Sequence, residues 1–172
     1  MKKYRFSFVV FILSATIPIG LAQTDKDKVK KVLTPKIGQS HTMVMPGDLK
    51  WGPAPPALPP GAQIAVLAGD PTKAGPFTIR VKFPDGYKIM PHWHPTDENI
   101  TVIEGVLGMG TGEKFDQSAA HELTAGSFAR MPKGTRHYAW AKGETVVQVH
   151  SDGPFVVNYV NPNDDPRKQA KK

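Results

Sequence analysis

The densest run of side chains able to do chemistry is Pro91-His92-Trp93-His94-Pro95-Thr96-Asp97-Glu98. On an extended chain His92 and His94 project to the same face, because side chains alternate with a period of two. Two imidazoles on one face make a chelate for a transition-metal ion. Glu98 follows a proline-containing turn and shares its parity with Ile100 and Val102, so its carboxylate points to the apolar side of its strand. An unpaired ionised carboxylate there would be costly, and a metal would neutralise it. Gly86 stands six residues before the first histidine and Gly105 seven after the glutamate. Each is read as ending a strand pair, where the chain must turn sharply with positive φ.

The elements that must position these groups read as strands. Phe77, Ile79, Val81 and Phe83 alternate with Thr78, Arg80 and Lys82, which means one buried face and one wet one. Further strand signals cover 63–67, 87–94, 99–109, 127–131, 137–140, 145–150 and 155–160, separated by turn formers such as Pro84-Asp85-Gly86, Lys133-Gly134 and Lys142-Gly143. No segment has sustained helical periodicity. The pattern predicts an all-β sandwich or barrel. Pro53, Pro55, Pro56, Pro59 and Pro60, with Pro46 just before, cannot join a central strand and are expected to wrap the outside of the core.

On these residues the chain resembles the cupins. The first motif of that family is a Gly, five residues, His-x-His, three or four residues, Glu, six residues and Gly; it is matched by Gly86, His92, His94, Glu98 and Gly105. The second is a Gly, five residues, Pro-x-Gly, two residues, His, three residues and Asn. It is matched by Gly126, Pro132, Gly134 and His137, with Ala141 in place of the final Asn, which is not a ligand in the family pattern. The resemblance covers roughly residues 50–160. It implies a cupin-type jelly-roll barrel (double-stranded β-helix) that holds one metal inside through His92, His94, Glu98 and His137. Three neutral nitrogens and a carboxylate suit one divalent transition metal, with iron, manganese, nickel, cobalt, copper and zinc all compatible; a six-coordinate ion would keep two adjacent positions open.

The pocket lining is less determined. Val146, Gln148 and His150 share one face of their strand and Thr145, Val147 and Val149 the other. If the polar set faces inward, Gln148 and His150 line the substrate site, together with Tyr159 from the next strand; if the valines do, both are exposed. Met131 is expected in the core, and His41 and His121 at the solvated surface. Tyr138 and Trp140 have the parity opposite to His137, which puts an aromatic pair on the outer face. Either the proline-rich segment or a second subunit would have to cover it, and the resemblance raises the expectation of a homodimer.

Of 172 residues 17 are proline and 16 glycine, and the net charge is +7 with no cysteine. Residues 32–162 carry equal numbers of basic and acidic side chains, so the excess lies in the ends and a nucleic-acid-binding face is not supported. Lys2, Lys3 and Arg5, the apolar run from Phe6 to Leu13, and Gly20-Leu21-Ala22 read as a signal peptide over 1–22. The expected organisation is this leader, a basic flexible lead-in over 23–45, the barrel over 46–162 and a charged tail over 163–172. The expected product is an exported, periplasmic protein that is not membrane-bound once the leader is removed. Two functions compete: a metal-dependent enzyme acting on a small molecule, most simply by oxygen-dependent oxidation or cleavage with isomerase or lyase chemistry as its variant, and a non-catalytic module that captures a small ligand or metal. If the face around the metal is apolar, a small aromatic or enol ligand is favoured.

Overall fold

The computed structural model describes residues 41–169. The leader over 1–22 and most of the lead-in lie outside the described residues, and His41 is exposed at their start. Nine strands account for about half of the described residues: β1 (Gly52–Pro53), β2 (Gln63–Ala68), β3 (Gly75–Phe83), β4 (Lys88–Trp93), β5 (Glu98–Thr111), β6 (His121–Thr124), β7 (Phe128–Met131), β8 (His137–Gly153) and β9 (Asn158–Tyr159). All pair antiparallel. Among the described residues no helix is long and apolar enough to cross a membrane.

The scaffold is the ribbon formed by the two longest strands. β5 and β8 pair from Asn99↔His150 to Thr111↔His137, with register shifts around Glu104. Gly105 and Gly143 both have φ near +70 to +76°, a region side-chain-bearing residues rarely adopt. A Cβ on Gly105 would meet the Glu144 carbonyl and Thr145. On one half of the ribbon β8 carries β3, which carries β2, while β5 carries β7; on the other half β8 carries β4, which carries β9, while β5 carries β6. This is the expected all-β jelly roll, with a correction: residues 137–140 and 145–150 belong to one strand, and Lys142-Gly143 is passed through without a hairpin.

The inner faces make one apolar core. From β3 come Phe77, Ile79, Val81 and Phe83, from β5 Ile100, Val102, Leu107 and Met109, and from β8 Ala139, Ala141, Val147 and Val149. Inward positions on β5 change from even to odd numbers across Gly105, which is what one extra residue in a strand does. β8 keeps odd numbers inward along its whole length. Met131 packs against this core as expected, and His121, expected at the solvated surface, opens β6 and is exposed.

The outer aromatic pair is corrected too. Tyr138 and Trp140 are 1% and 7% exposed. They stand opposite Gly110 and Gly108 on β5, whose missing side chains leave room for the rings; a Cβ on either glycine would sit inside the ring. The Tyr138 hydroxyl donates to the Asp116 carbonyl at 2.8 Å and its ring packs on Phe115. The chain covers this pair itself, with the 112–120 connection, so a second subunit is not needed there.

Candidate metal centre

Strand termini bring the four sequence-predicted ligands to one end of the barrel. His92 on β4 is the register partner of His137, the first residue of β8. His94 lies just past the end of β4, and Glu98 begins β5. All four are buried, at 1–8% exposure. One ring nitrogen from each of His92, His94 and His137 lies within 4.8 Å of the others, so these three buried imidazoles could hold a metal ion. Glu98 Oε2 is 3.1 Å from His137 Nε2 and 3.6 Å from His94 Nε2. Donor atoms bound side by side to one ion at about 2.1 Å lie about 3 Å apart, so the glutamate stands at ligand spacing from two of the histidines.

Each imidazole is oriented through its other nitrogen. Nδ1 of His92 donates to the Met90 carbonyl at 2.8 Å, Nδ1 of His94 to Val156 at 2.8 Å and Nδ1 of His137 to Thr135 at 3.0 Å. A carbonyl only accepts, so Nδ1 carries the proton in all three neutral rings and Nε2 keeps its lone pair. This is the outer arrangement that fixes tautomer and direction in histidine metal sites. The register irregularity between Ile89 and His92 accompanies the first of these bonds, and Pro91, which has no N–H to lose from the ladder, sits inside it.

The electrostatics fit the same use. Burial, with the neighbouring His137 and His94, lowers His92 to about 3. Burial lowers His94 as well. At His137 burial works against the charged form, but the contact with Glu98 outweighs it and raises the group above its ordinary value. Burial pushes Glu98 up, and the histidines, His137 first, pull it below its ordinary value. Although the Glu98–His137 contact is short, it does not have hydrogen-bond alignment: His94 Nε2 and Glu98 Oε2 are buried without a hydrogen-bond partner among the described residues. Buried orphans of this kind are rare. A divalent cation would satisfy both, so the donor set fits the metal that the fold implies.

The loop between the ligands is clamped. Asp97 accepts from Arg130 Nη2 at 2.6 Å and from the Lys133 N–H at 2.8 Å, its own carbonyl accepts from Ser151 Oγ at 2.6 Å, and the Gly134 N–H donates to the His94 carbonyl at 2.8 Å. These bonds tie the His94–Glu98 turn to β7, to β8 and to the turn leading into His137.

Above the cluster lies a cavity of about 200 Å³, walled by Ile79, Val81, Ile100, Val147 and Val149 among others. The three residues predicted to line it are corrected. Gln148 and His150 are on the outer face, Gln148 accepting from Arg80 Nε at 3.4 Å and His150 exposed; the continuous parity of β8 turns the valines inward instead. Tyr159 is not part of the cavity wall; its ring lies 6.0 Å from that of His92 and its hydroxyl donates to the Ala57 carbonyl at 2.8 Å. It pins the proline-rich segment, as does Tyr87 by donating to the Pro59 carbonyl. That segment is not merely an outer wrap: Pro55, Ala57 and Leu58 form part of the wall, with Pro71, Thr72 and Phe155. Phe155 stacks on His94, centroids 4.2 Å apart and planes 15° from parallel. Sequence reasoning missed these residues because they lie in connections, where parity gives no direction; Phe155, expected in a strand over 155–160, stands in the connection before β9.

An antiparallel β barrel with histidines converging at one end defines the cupin fold. The chain belongs to the family described as Domain of unknown function (DUF4437), whose model matches residues 43–171. Its structure is similar to that of the polyketide cyclase RemF from Streptomyces resistomycificus, with 19% identity and a TM-score of 0.58 over 77% of this chain and 94% of that one. KdgF from a Halomonas species is similar at 21% identity and a TM-score of 0.52, over 66% of this chain and 94% of that one. An RmlC-like cupin from Shewanella frigidimarina is similar at 14% identity and a TM-score of 0.52, over 66% and 91%. At these identities the likeness is one of fold. No curated protein matches the sequence.

Proposed function

We propose that this chain is an exported, metal-dependent enzyme acting on a small organic molecule, with one divalent transition metal held by His92, His94, Glu98 and His137 and oxygen-dependent oxidation or cleavage as its chemistry. The observation that carries the reading is the convergence of three oriented Nε2 lone pairs and an orphaned buried carboxylate oxygen on one point beneath an apolar cavity. When bound, the metal supplies Lewis acidity and, for a redox-active ion, electron transfer to dioxygen. The chain supplies the rest. The imidazoles are held in one tautomer, Glu98 offsets the ion's charge, and the aliphatic wall excludes water, which strengthens every electrostatic contact inside. Among the described residues Glu98 is the sole acid–base side chain of the cavity besides the imidazoles, so a substrate proton would be held at its carboxylate.

RemF, described as a polyketide cyclase, supports the idea that a barrel of this fold can act on an organic molecule. Protein loaded separately with iron(II), manganese, nickel, cobalt, copper or zinc and supplied with enols and flavonols should consume oxygen with at least one metal. Turnover without oxygen uptake would reassign the chemistry to an isomerase or lyase type, and absence of any metal-dependent conversion would remove the enzyme reading. The same scarcity of acid–base groups favours a second reading, capture of a ligand without turnover, which ligand-induced stabilisation with no product would establish. Export is tested by N-terminal sequencing of protein recovered from the periplasm, expected to begin at Gln23.

A further inference from the structure

The cavity is polar at one end only. Among the described residues, and apart from the four of the metal cluster, Thr72 is the one lining side chain with a strong hydrogen-bonding group, and it lies at the exposed rim with its hydroxyl donated to Asp70 at 2.7 Å. The rest of the wall is aliphatic or aromatic carbon and a thioether, contributed by β2, β3, β4, β5, β8, the 55–58 segment and the connections that carry Pro71, Phe155 and Val157. Phe155, held against both His94 and Phe77 and tied by its N–H to the Pro71 carbonyl at 2.8 Å, makes that wall flat beside the ligand cluster.

A hydroxyl carried into such a wall loses its water and finds no partner, a penalty worth roughly tenfold to a hundredfold in affinity, and a charged group loses more. We infer that the ligand of this cavity carries its polar atoms at a single end: a metal-ligating head of one or two oxygens, of catechol or enol type, on a hydrocarbon remainder with no second charge and no further hydroxyls. The volume, that of roughly seven waters, accommodates one ring or a short branched chain. Sugars, sugar acids and phosphorylated compounds are disfavoured by the same wall, each further polar group adding its own penalty. The inference rests on the metal reading for the head group and on the wall alone for the tail.

The test uses ligands that share a head and differ at the far end. Cobalt(II)-loaded protein is titrated with 4-methylcatechol, 3,4-dihydroxybenzoate and gluconate, following the visible cobalt spectrum and the melting temperature. 4-Methylcatechol should bind at least roughly tenfold more tightly than 3,4-dihydroxybenzoate, one unmatched polar group being of that order, and gluconate more weakly still. Equal or tighter binding of either polar compound, or no binding of 4-methylcatechol, overturns the inference. The metal reading fails separately, as absence of a cobalt spectrum. The tail preference is then read on chelator-treated protein with p-cresol against 4-hydroxybenzoate: p-cresol should raise the melting temperature and 4-hydroxybenzoate should not, and the reverse or equality overturns it.

Discussion

Stripped of metal, the ligand cluster becomes a set of titrating groups, and the stability of the metal-free protein should pass through a maximum between the ordinary histidine value of about 6.5 and the raised value of His137. His92, lowered to about 3 mainly by burial, and His94, also lowered by burial, take up protons more readily in the unfolded chain. Their contribution is complete above the ordinary histidine value and is lost as the pH falls below it. For His92 that slope is about 1.4 kcal/mol per pH unit, so about 2 kcal/mol is lost on reaching pH 5. His137 runs the other way. It is raised because Glu98 outweighs the burial penalty, so its contribution is complete below about pH 6.5 and fades as the pH rises through its folded value. Glu98 is lowered by the histidines against the push of burial, and its contribution persists until the pH falls below the ordinary carboxylate range. Urea unfolding in the presence of a chelator at pH 8, 6.5 and 5 measures both limbs. The expected result is a loss of about 2 kcal/mol or more on the acid side, a shallower decline on the alkaline side, and a weakened acid limb in His92→Gln. A flat profile between pH 6.5 and 5, or an acid limb unchanged by that substitution, would refute the reasoning.

Three further outcomes are expected. Glu98→Gln keeps the shape but removes the charge, and should weaken metal binding by at least the roughly 10–100-fold that loss of an outer-shell partner costs, read by calorimetric titration. Asp97→Ala frees the His94–Glu98 turn from Arg130 and Lys133; it should weaken metal binding roughly tenfold or more while shifting the chelated protein's melting temperature less, because the Asp97 side chain is only partly buried and its ion pair with Arg130 reaches solvent. Gly110→Ala puts a Cβ into the Tyr138 ring and should cost about 1–3 kcal/mol in unfolding measurements, an effect that Tyr138→Leu in the same chain should partly relieve.

The ligands were legible in the sequence because metal chemistry demands particular residue types at particular spacing, and because His92, His94 and Glu98 sit where parity alone turns them inward. The barrel was legible from the alternation in β3. The pocket lining was not, and β8 shows why. Treating Lys142-Gly143 as a hairpin cuts the strand and discards its parity, yet the odd-numbered face that carries His137 inward continues to Val147 and Val149 and would have put Gln148 and His150 outside. The glycine marks a bend with positive φ, as a turn glycine does, and only the pairing partners distinguish the two. The covered aromatic pair had a signal too: Gly108 and Gly110 on β5 match Trp140 and Tyr138 on β8 at the same spacing. Phe155, Leu58 and Pro71 had none, since each is placed by tertiary packing of a connection.

The central claim is that three histidines and one glutamate hold a single transition metal, and cobalt(II) titration of the chelator-treated protein, followed by its visible spectrum, tests it most directly. The account predicts saturation at one equivalent, abolished in a His92→Ala, His137→Ala double variant whose circular dichroism still shows the β fold. Folded protein that takes up no cobalt, or a double variant that binds it as well as the parent chain, would contradict it.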